Sequence, residues 1–134
     1  MGIRHLTEAD RQAYIDLYEA TAAEGRWIGG ELPIDRALMN SRLDRVFSLE
    51  TVAMLVAVDA NDVVVGHLGL ENTDGIVSFG MMIEPDHRGK GIGSQLLDEA
   101  IAWSEAAGAH KMTLEVWPHN ERAIALYELS LIHI

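Results

Sequence analysis

The fold of this chain is decided by eleven residues that lie about two-thirds of the way along it. They read Ile83-Glu84-Pro85-Asp86-His87-Arg88-Gly89-Lys90-Gly91-Ile92-Gly93. A β-rich run ends just before Pro85 and an apolar helical pattern follows Gly93, so the glycines join a strand to a helix. Such a junction leaves backbone N–H groups without intrahelical partners at the positive end of a helix. The stretch therefore predicts an anion-binding loop with a phosphate ester as its ligand.

The spacing of the glycines indicates which phosphate ester fits. Gly89, Gly91 and Gly93 lack the Cβ atoms that would keep a diphosphate off the backbone, and Arg88 and Lys90 add positive charge at the rim. A Walker loop would need glycine at position 84 and serine or threonine at position 91, which this chain lacks. A dinucleotide fingerprint has its third glycine one residue later and follows the first strand of its unit. The spacing that does match is Arg-x-x-Gly-x-Gly.

A second motif lies nearer the C-terminus. A strand-like run from Lys111 to Trp117 leads into Asn120-Glu121-Arg122-Ala123-Ile124-Ala125-Leu126-Tyr127. Asn120 and Tyr127 are about two turns apart on a helix, so both side chains can reach one ligand. With its glycine loop and this Asn-x-x-Ala-x-x-x-Tyr segment, the chain resembles the GNAT superfamily of N-acetyltransferases. The resemblance extends from about Ile3 to Glu128.

The resemblance implies a site for acetyl-coenzyme A and direct transfer of its acetyl group to a primary amine of a small molecule or peptide. In the family, the glycine loop binds the diphosphate of the cofactor. The positions that this assigns here are Arg88, Gly89, Lys90, Gly91, Ile92, Gly93 and Ser94. The strand before the loop, here Met81, Met82 and Ile83, would line the pantetheine arm, and Asn120 would bond to that arm.

The resemblance and the chemistry together name candidate catalytic residues. An amine with a pKa near ~10 is protonated at neutral pH, so the reaction needs a base, and Glu84 at the strand end is the leading candidate. Glu71 and Glu115 are its competitors, acting directly or through water. A thiolate leaving group with a pKa near ~8.5 needs a proton donor, which the resemblance assigns to Tyr127. Trp27, in a glycine-containing loop, would contact the acceptor or simply anchor that loop.

The opposing interpretations stay open at this point. Glu84 could be a solvated turn carboxylate, and Tyr127 could be a packing residue near a helix end. The whole chain could then be a catalytically inactive CoA-binding or interaction module of the same fold. The presence of both Asn120 and Tyr127 favours the enzyme.

Composition narrows the class of protein. A chain of 134 residues, 49% of them hydrophobic and 23% charged, predicts one soluble domain. The absence of cysteine excludes a disulfide framework and fits a reducing cytoplasm, and the six histidines lack metal-ligand spacing, so no metal is expected. A formal charge of -11 argues against nucleic acid, and no apolar run approaches the ~20 residues of a membrane span. The expected partners are acetyl-CoA and an amine acceptor, with a homodimer left open.

The pattern along the chain predicts the element order β-α-α-β-β-β-α-β-α, with an antiparallel meander in the middle. This is the order that the family uses, so the resemblance implies an α+β fold of the α/β three-layer type, with a mixed, mostly antiparallel sheet and helices on both faces. The predicted strands are 3–6, 52–58, 63–70, 76–83 and 111–117, and the predicted helices are 7–23, 34–48, the one after the glycine loop and the one around residues 120–128. A Thr7/Asp10 capping box should open the first helix. The helix after the glycine loop should bury Leu96, Leu97, Ala100, Ile101 and Ser104 and end before Gly108.

The last six residues are predicted to be foreign to the domain. In the family, a segment like 126–128 continues into a Gly-Phe helix stop and two further strands, whereas this chain continues as Leu-Ser-Leu-Ile-His-Ile. That hexapeptide matches one reading frame of a common sequencing adapter. We therefore expect an incomplete N-acetyltransferase domain over residues 1–128, with the last strands of its sheet missing, and a read-through tail over 129–134.

Overall fold

A computed structural model of the protein describes residues 2–24 and 32–114. Five strands form one sheet in the order β1-β2-β3-β4-β5, and they are β1 Gly2–His5, β2 Val52–Val58, β3 Val64–Thr73, β4 Ile76–Ile83 and β5 Lys111–Thr113. Neighbouring strands are antiparallel from β1 to β4, and β5 lies parallel to β4. The predicted mixed, mostly antiparallel sheet is confirmed.

Three α-helices accompany the sheet, namely α1 Arg11–Glu24, α2 Arg36–Ser48 and α3 Ile92–Ala106. Thr7 donates from its backbone N–H and from Oγ1 to Asp10 Oδ2, at 2.7 and 2.9 Å. The predicted pairing of these two residues is present, but it opens a 3-10 turn ahead of α1. Helix α2 begins two residues later than predicted because Asp35 caps it, accepting from the Leu38 N–H at 2.9 Å.

The helices cover both faces of the sheet and bury a core on each. On one face α3 packs Leu96 and Leu97 against Leu55, Leu68 and Val77. On the other face the buried residues come from α1, α2 and β2, among them Ile15, Leu17, Met39, Leu43 and Val56. The predicted three-layer arrangement of helix, sheet and helix is therefore confirmed. The prediction for α3 is also confirmed, except that Ile101 is half-buried rather than buried.

The turn between β3 and β4 is tighter than the sequence pattern indicated. Thr73 pairs with Ile76, so only Asp74 and Gly75 lie outside the ladder, with φ angles of 53° and 88°. Two central residues with positive φ are typical of a type I′ turn, which matches the twist of an antiparallel pair. The predicted end of β3 at Leu70 is therefore wrong, and the strand continues to Thr73.

Candidate active site

The backbone of β4 presents alternate residues to its two neighbours. The Glu84 N–H donates to the Val65 carbonyl at 2.8 Å, so this pair belongs to the hydrogen-bonded positions of the antiparallel ladder. The register continues without a shift along β4, so Met82 and every second residue before it bond to β3. Met81 and Ile83 consequently direct their N–H and C=O groups toward the β5 side. The Ile83 carbonyl accepts from Arg88 Nε at 2.9 Å, as this orientation allows.

Strand β5 accompanies only the first part of β4 within the described residues. The described pairs run from Ile76 with Lys111 to Ser78 with Thr113. Beyond that point the N–H and C=O groups of half-buried Met81 face the same side with no described strand beside them. A strand edge of this kind can bind an extended chain that carries amide groups.

The glycine loop brings the N-terminus of α3 next to this edge. Gly89 and Gly91 have φ angles of 75° and 82°, and Gly91 is the N-cap of α3 without a side-chain cap. The first helical donor is the Gln95 N–H, which bonds to the Gly91 carbonyl at 3.2 Å. The N–H groups of the three preceding residues, 92–94, are therefore at the positive helix end, where anions bind. A Cβ at Gly91 would meet no atom within 4 Å, so the space beside the loop is open.

The two cations predicted at the loop are placed differently. Lys90 is exposed. The guanidinium of Arg88 is held by the carboxylate of Glu24, with Nη1 to Oε1 and Nη2 to Oε2 both at 2.7 Å. Both side chains of this pair are mostly buried, at 22% and 27% exposure. No motif or local pattern indicates this partner, which lies 64 residues away.

The carboxylate of Glu84 is also engaged. Its Oε2 lies 2.5 Å from His87 Nδ1, across the 3-10 turn Pro85–His87. This hydrogen bond, together with the backbone N–H of Asp86, holds the pKa of Glu84 below its usual range. A lowered pKa makes a weaker base. The geometry therefore favours a carboxylate that stabilises the turn, and the role of Glu84 as base stays a prediction.

A second carboxylate lies on the face of the sheet toward α1 and α2. Glu71 pairs with Ser78 across β3 and β4, and next to them Gly69 pairs with Gly80. Gly80 is exposed, and a Cβ built on it would meet no atom within 4 Å. We call these four residues the open sheet patch. The Glu71 carboxylate at its border accepts from Arg45 at 3.0 Å.

His67 is a residue that the sequence reasoning missed. It lies on β3 under α1, with its ring centroid 4.6 Å from that of Tyr14, and neither ring nitrogen has a hydrogen-bond partner. Burial lowers the pKa of His67 to about 3 and raises that of Tyr14 to about 12. The pattern of β3 did not signal this burial, because Leu68 and Leu70 mark one face of the strand as apolar and His67 lies on the other face, which α1 covers.

Five predicted features lie outside the described residues, namely Trp27, Glu115, Asn120, Tyr127 and the tail 129–134. Their roles stay predictions. Within residues 2–24 and 32–114 no cluster of three or more His, Asp or Glu side chains could hold a metal ion. In the same ranges no helix has the length and apolar character needed to cross a membrane.

Solved structures with the same fold include acetyltransferases. A phosphinothricin acetyltransferase from Sinorhizobium meliloti, in complex with AcCoA, superposes with a TM-score of 0.86 at 24% identity, over 96% of this chain and 72% of the other. A putative acetyltransferase from Salmonella typhimurium, yncA with its cofactor acetyl-CoA, gives 0.85 at 24% identity, over 96% and 77% of the two chains.

The chain belongs to the acetyltransferase (GNAT) family, whose model matches residues 14–131. Two curated relatives are similar over most of the chain. An L-methionine sulfoximine/L-methionine sulfone acetyltransferase from Pseudomonas aeruginosa is 29% identical in an alignment of 132 positions, gaps included, that covers 94% of this chain and 76% of the relative. The L-amino acid N-acyltransferase MnaT of Escherichia coli is 26% identical in an alignment of 136 positions, gaps included, that covers 96% of this chain and 77% of the relative. The predicted family, fold and enzyme class are therefore confirmed.

Proposed function

We propose that this protein acetylates the α-amine of a small amino acid or amino-acid analogue, with acetyl-CoA as the acetyl donor. Membership of an acetyltransferase family establishes the reaction class. The narrower choice of acceptor is supported by the relatives, whose names specify methionine sulfoximine, methionine sulfone and L-amino acids. The observation that carries the proposal is the junction of the β4 edge with the glycine loop, because it provides adjacent sites for an amide-containing arm and for a diphosphate.

The chain's own groups can be assigned to the two parts of the donor. The N–H groups of residues 92–94 and the side chain of Lys90 would hold the diphosphate. The backbone of Met81 would bond the pantetheine arm, and a strand N–H there would polarise the thioester carbonyl. Acetyl-CoA supplies an activated acyl group, and the protein supplies its alignment with the amine.

The acceptor would approach over the open sheet patch. Gly69 and Gly80 leave its floor without side chains, and the carboxylate of Glu71 can attract an ammonium group. The proton of the amine would pass to Glu71 or Glu84, directly or through water, and Tyr127 would protonate the departing thiolate. Both carboxylates are already paired, Glu71 with Arg45 and Glu84 with His87. The Arg45–Glu71 pair is the more exposed of the two and lies beside the open sheet patch, which favours Glu71.

A panel of amines tests the proposed acceptor. We expect amine-dependent release of free thiol from acetyl-CoA with methionine sulfone and with free amino acids. Peptides that carry the same amino acids at their N-terminus should have a kcat/KM at least about tenfold lower. A preference for peptides or polyamines would overturn the assignment of the acceptor. Tight CoA binding with no turnover of any amine would instead support the inactive binding module.

Four further properties belong to the proposal. The lack of cysteine supports a cytoplasmic location, and the formal charge of -11 supports the absence of a nucleic-acid partner. The homodimer and the foreign origin of residues 129–134 stay predictions.

A further inference from the structure

We propose that Arg88 is a positioning residue for the glycine loop, fixed by Glu24, and that its guanidinium does not bind the diphosphate. The proposal rests on the proposed function, since it concerns how the same loop holds CoA. It reverses the role that the motif alone assigns to this arginine, and it gives a role to Glu24, the last residue of α1.

The contacts of Arg88 define a rigid three-way junction. Nη1 and Nη2 donate to the two oxygens of Glu24, and Nε donates to the carbonyl of Ile83. A planar fork bonded to both oxygens of one carboxylate is held in direction as well as in distance. The end of α1 and the end of β4 are thus fixed relative to each other one residue before the loop begins at Gly89.

The charge and the burial of the Arg88–Glu24 pair also support the positioning role. The carboxylate of Glu24 neutralises the guanidinium, and both side chains are about three-quarters buried. To reach a diphosphate, Arg88 would have to break a bidentate pair in a partly desolvated setting, which costs free energy. Lys90, exposed in the same loop, can meet the phosphates without breaking such a pair.

The two roles predict opposite effects when Glu24 loses its charge. If Arg88 binds phosphate, Glu24 competes with the ligand, and Glu24→Gln should strengthen CoA binding. If Arg88 positions the loop, Glu24→Gln removes the charged partner that holds Arg88 in place and should weaken CoA binding. Arg88→Lys separates the roles again, because lysine keeps the charge and loses the fork.

The experiment is a calorimetric titration of CoA into the full chain and its variants. We expect Glu24→Gln, Arg88→Lys and Arg88→Gln each to raise the Kd of CoA about 5- to 20-fold. The Glu24→Gln/Arg88→Gln double variant should have a Kd no higher than that of whichever of its two single variants binds CoA more weakly. In turnover, the KM for acetyl-CoA should rise while kcat at saturation stays within about twofold. For a pantetheine thioester, which lacks the diphosphate, the same variants should lose less affinity than they lose for CoA.

A matched control distinguishes positioning from general destabilisation. Asp10 forms a similar bidentate pair with Arg4, at 2.6 and 3.0 Å, far along the chain from the loop. Asp10→Asn should lower the melting temperature without changing the Kd of CoA. Tighter binding by Glu24→Gln, or parent-like binding by Arg88→Lys, would overturn the positioning role. A parent protein that fails to bind CoA would instead overturn the proposed function.

Discussion

At the scale of single residues, the glycines at the two ends of α3 allow the effect of backbone strain to be distinguished from an effect on ligand binding. Gly91 precedes the helix with a φ of 82°, and Gly108 follows it with a φ of 74°. A Cβ at either position would meet no atom within 4 Å. The two sites are therefore alike in conformation and in space, and they differ in their distance from the proposed diphosphate site.

We predict that Gly91→Ala and Gly108→Ala each lower the free energy of unfolding by about 1–2 kcal/mol, the cost of a left-handed conformation for alanine. Only Gly91→Ala should also weaken CoA binding, by at least about tenfold, because its methyl group enters the space of the diphosphate. Urea denaturation and calorimetry give the two numbers. Equal CoA affinities for the two variants would remove Gly91 from the site.

The buried imidazole of His67 should make the stability of the protein depend on pH. Its pKa is about 3 in the folded state against 6.5 for an ordinary histidine, so the unfolded chain binds the extra proton between these values. The contribution is fully present above pH ~6.5 and is lost on acidification toward pH ~3, at about 1.4 kcal/mol per pH unit. His67→Met should remove this slope.

Denaturation at pH 7.5 and at pH 5 measures the effect. The parent should lose about 2 kcal/mol more than His67→Met between the two conditions. At pH 7.5 the variant should be at least as stable as the parent, because it buries no unpartnered nitrogen. His5→Gln, which changes an exposed histidine, should keep the slope of the parent. The same slope in His67→Met would show that this histidine takes up its proton in the folded state.

At the scale of elements, the Asp74-Gly75 turn connects three strands. It joins β3 to β4, and the Gly75 carbonyl accepts from the His110 N–H at 2.9 Å, just before β5. A Cβ at Gly75 would lie 2.5 Å from His110 Nδ1, in a backbone conformation with a φ of 88°. Alanine at this position therefore has a conformational cost and a steric cost.

We predict that Gly75→Ala destabilises the protein by more than the ~1–2 kcal/mol of its conformation alone. His110→Ala should recover the steric part, so that the double variant is more stable than the sum of the single changes indicates. Equilibrium denaturation of the four proteins of this cycle measures the coupling. Strict additivity would mean that the imidazole turns away without cost.

The elements themselves were largely predictable because they depend on local pattern. Runs of strand-forming residues between turn residues identified β2 and β4 at their observed bounds, and the glycines around α3 identified its two ends. The errors were at caps and turns, where one side chain such as Asp35, or one φ angle such as that of Asp74, moves an element by two or three residues. The periodic part of the sequence does not encode those details.

At the scale of the whole molecule, the sequence predicted the backbone elements of the site but not the long-range side-chain contacts around them. The glycine spacing and the strand before it predicted the loop and its edge. The pairing of Arg88 with Glu24, and the burial of His67 under Tyr14, required the packing of α1 on the sheet. Contacts between residues so far apart in sequence follow from the tertiary fold, so the motif alone assigned Arg88 to the ligand.

The central claim is direct acetyl transfer from acetyl-CoA to an amine held in one ternary complex. The measurement that tests it most directly follows free thiol and acetylated amine in a single turnover, with enzyme in excess over acetyl-CoA. We predict no thiol release without the amine, and one thiol per acetylated amine once it is added. Stoichiometric thiol release without amine, with the acetyl group found on the protein, would contradict the account.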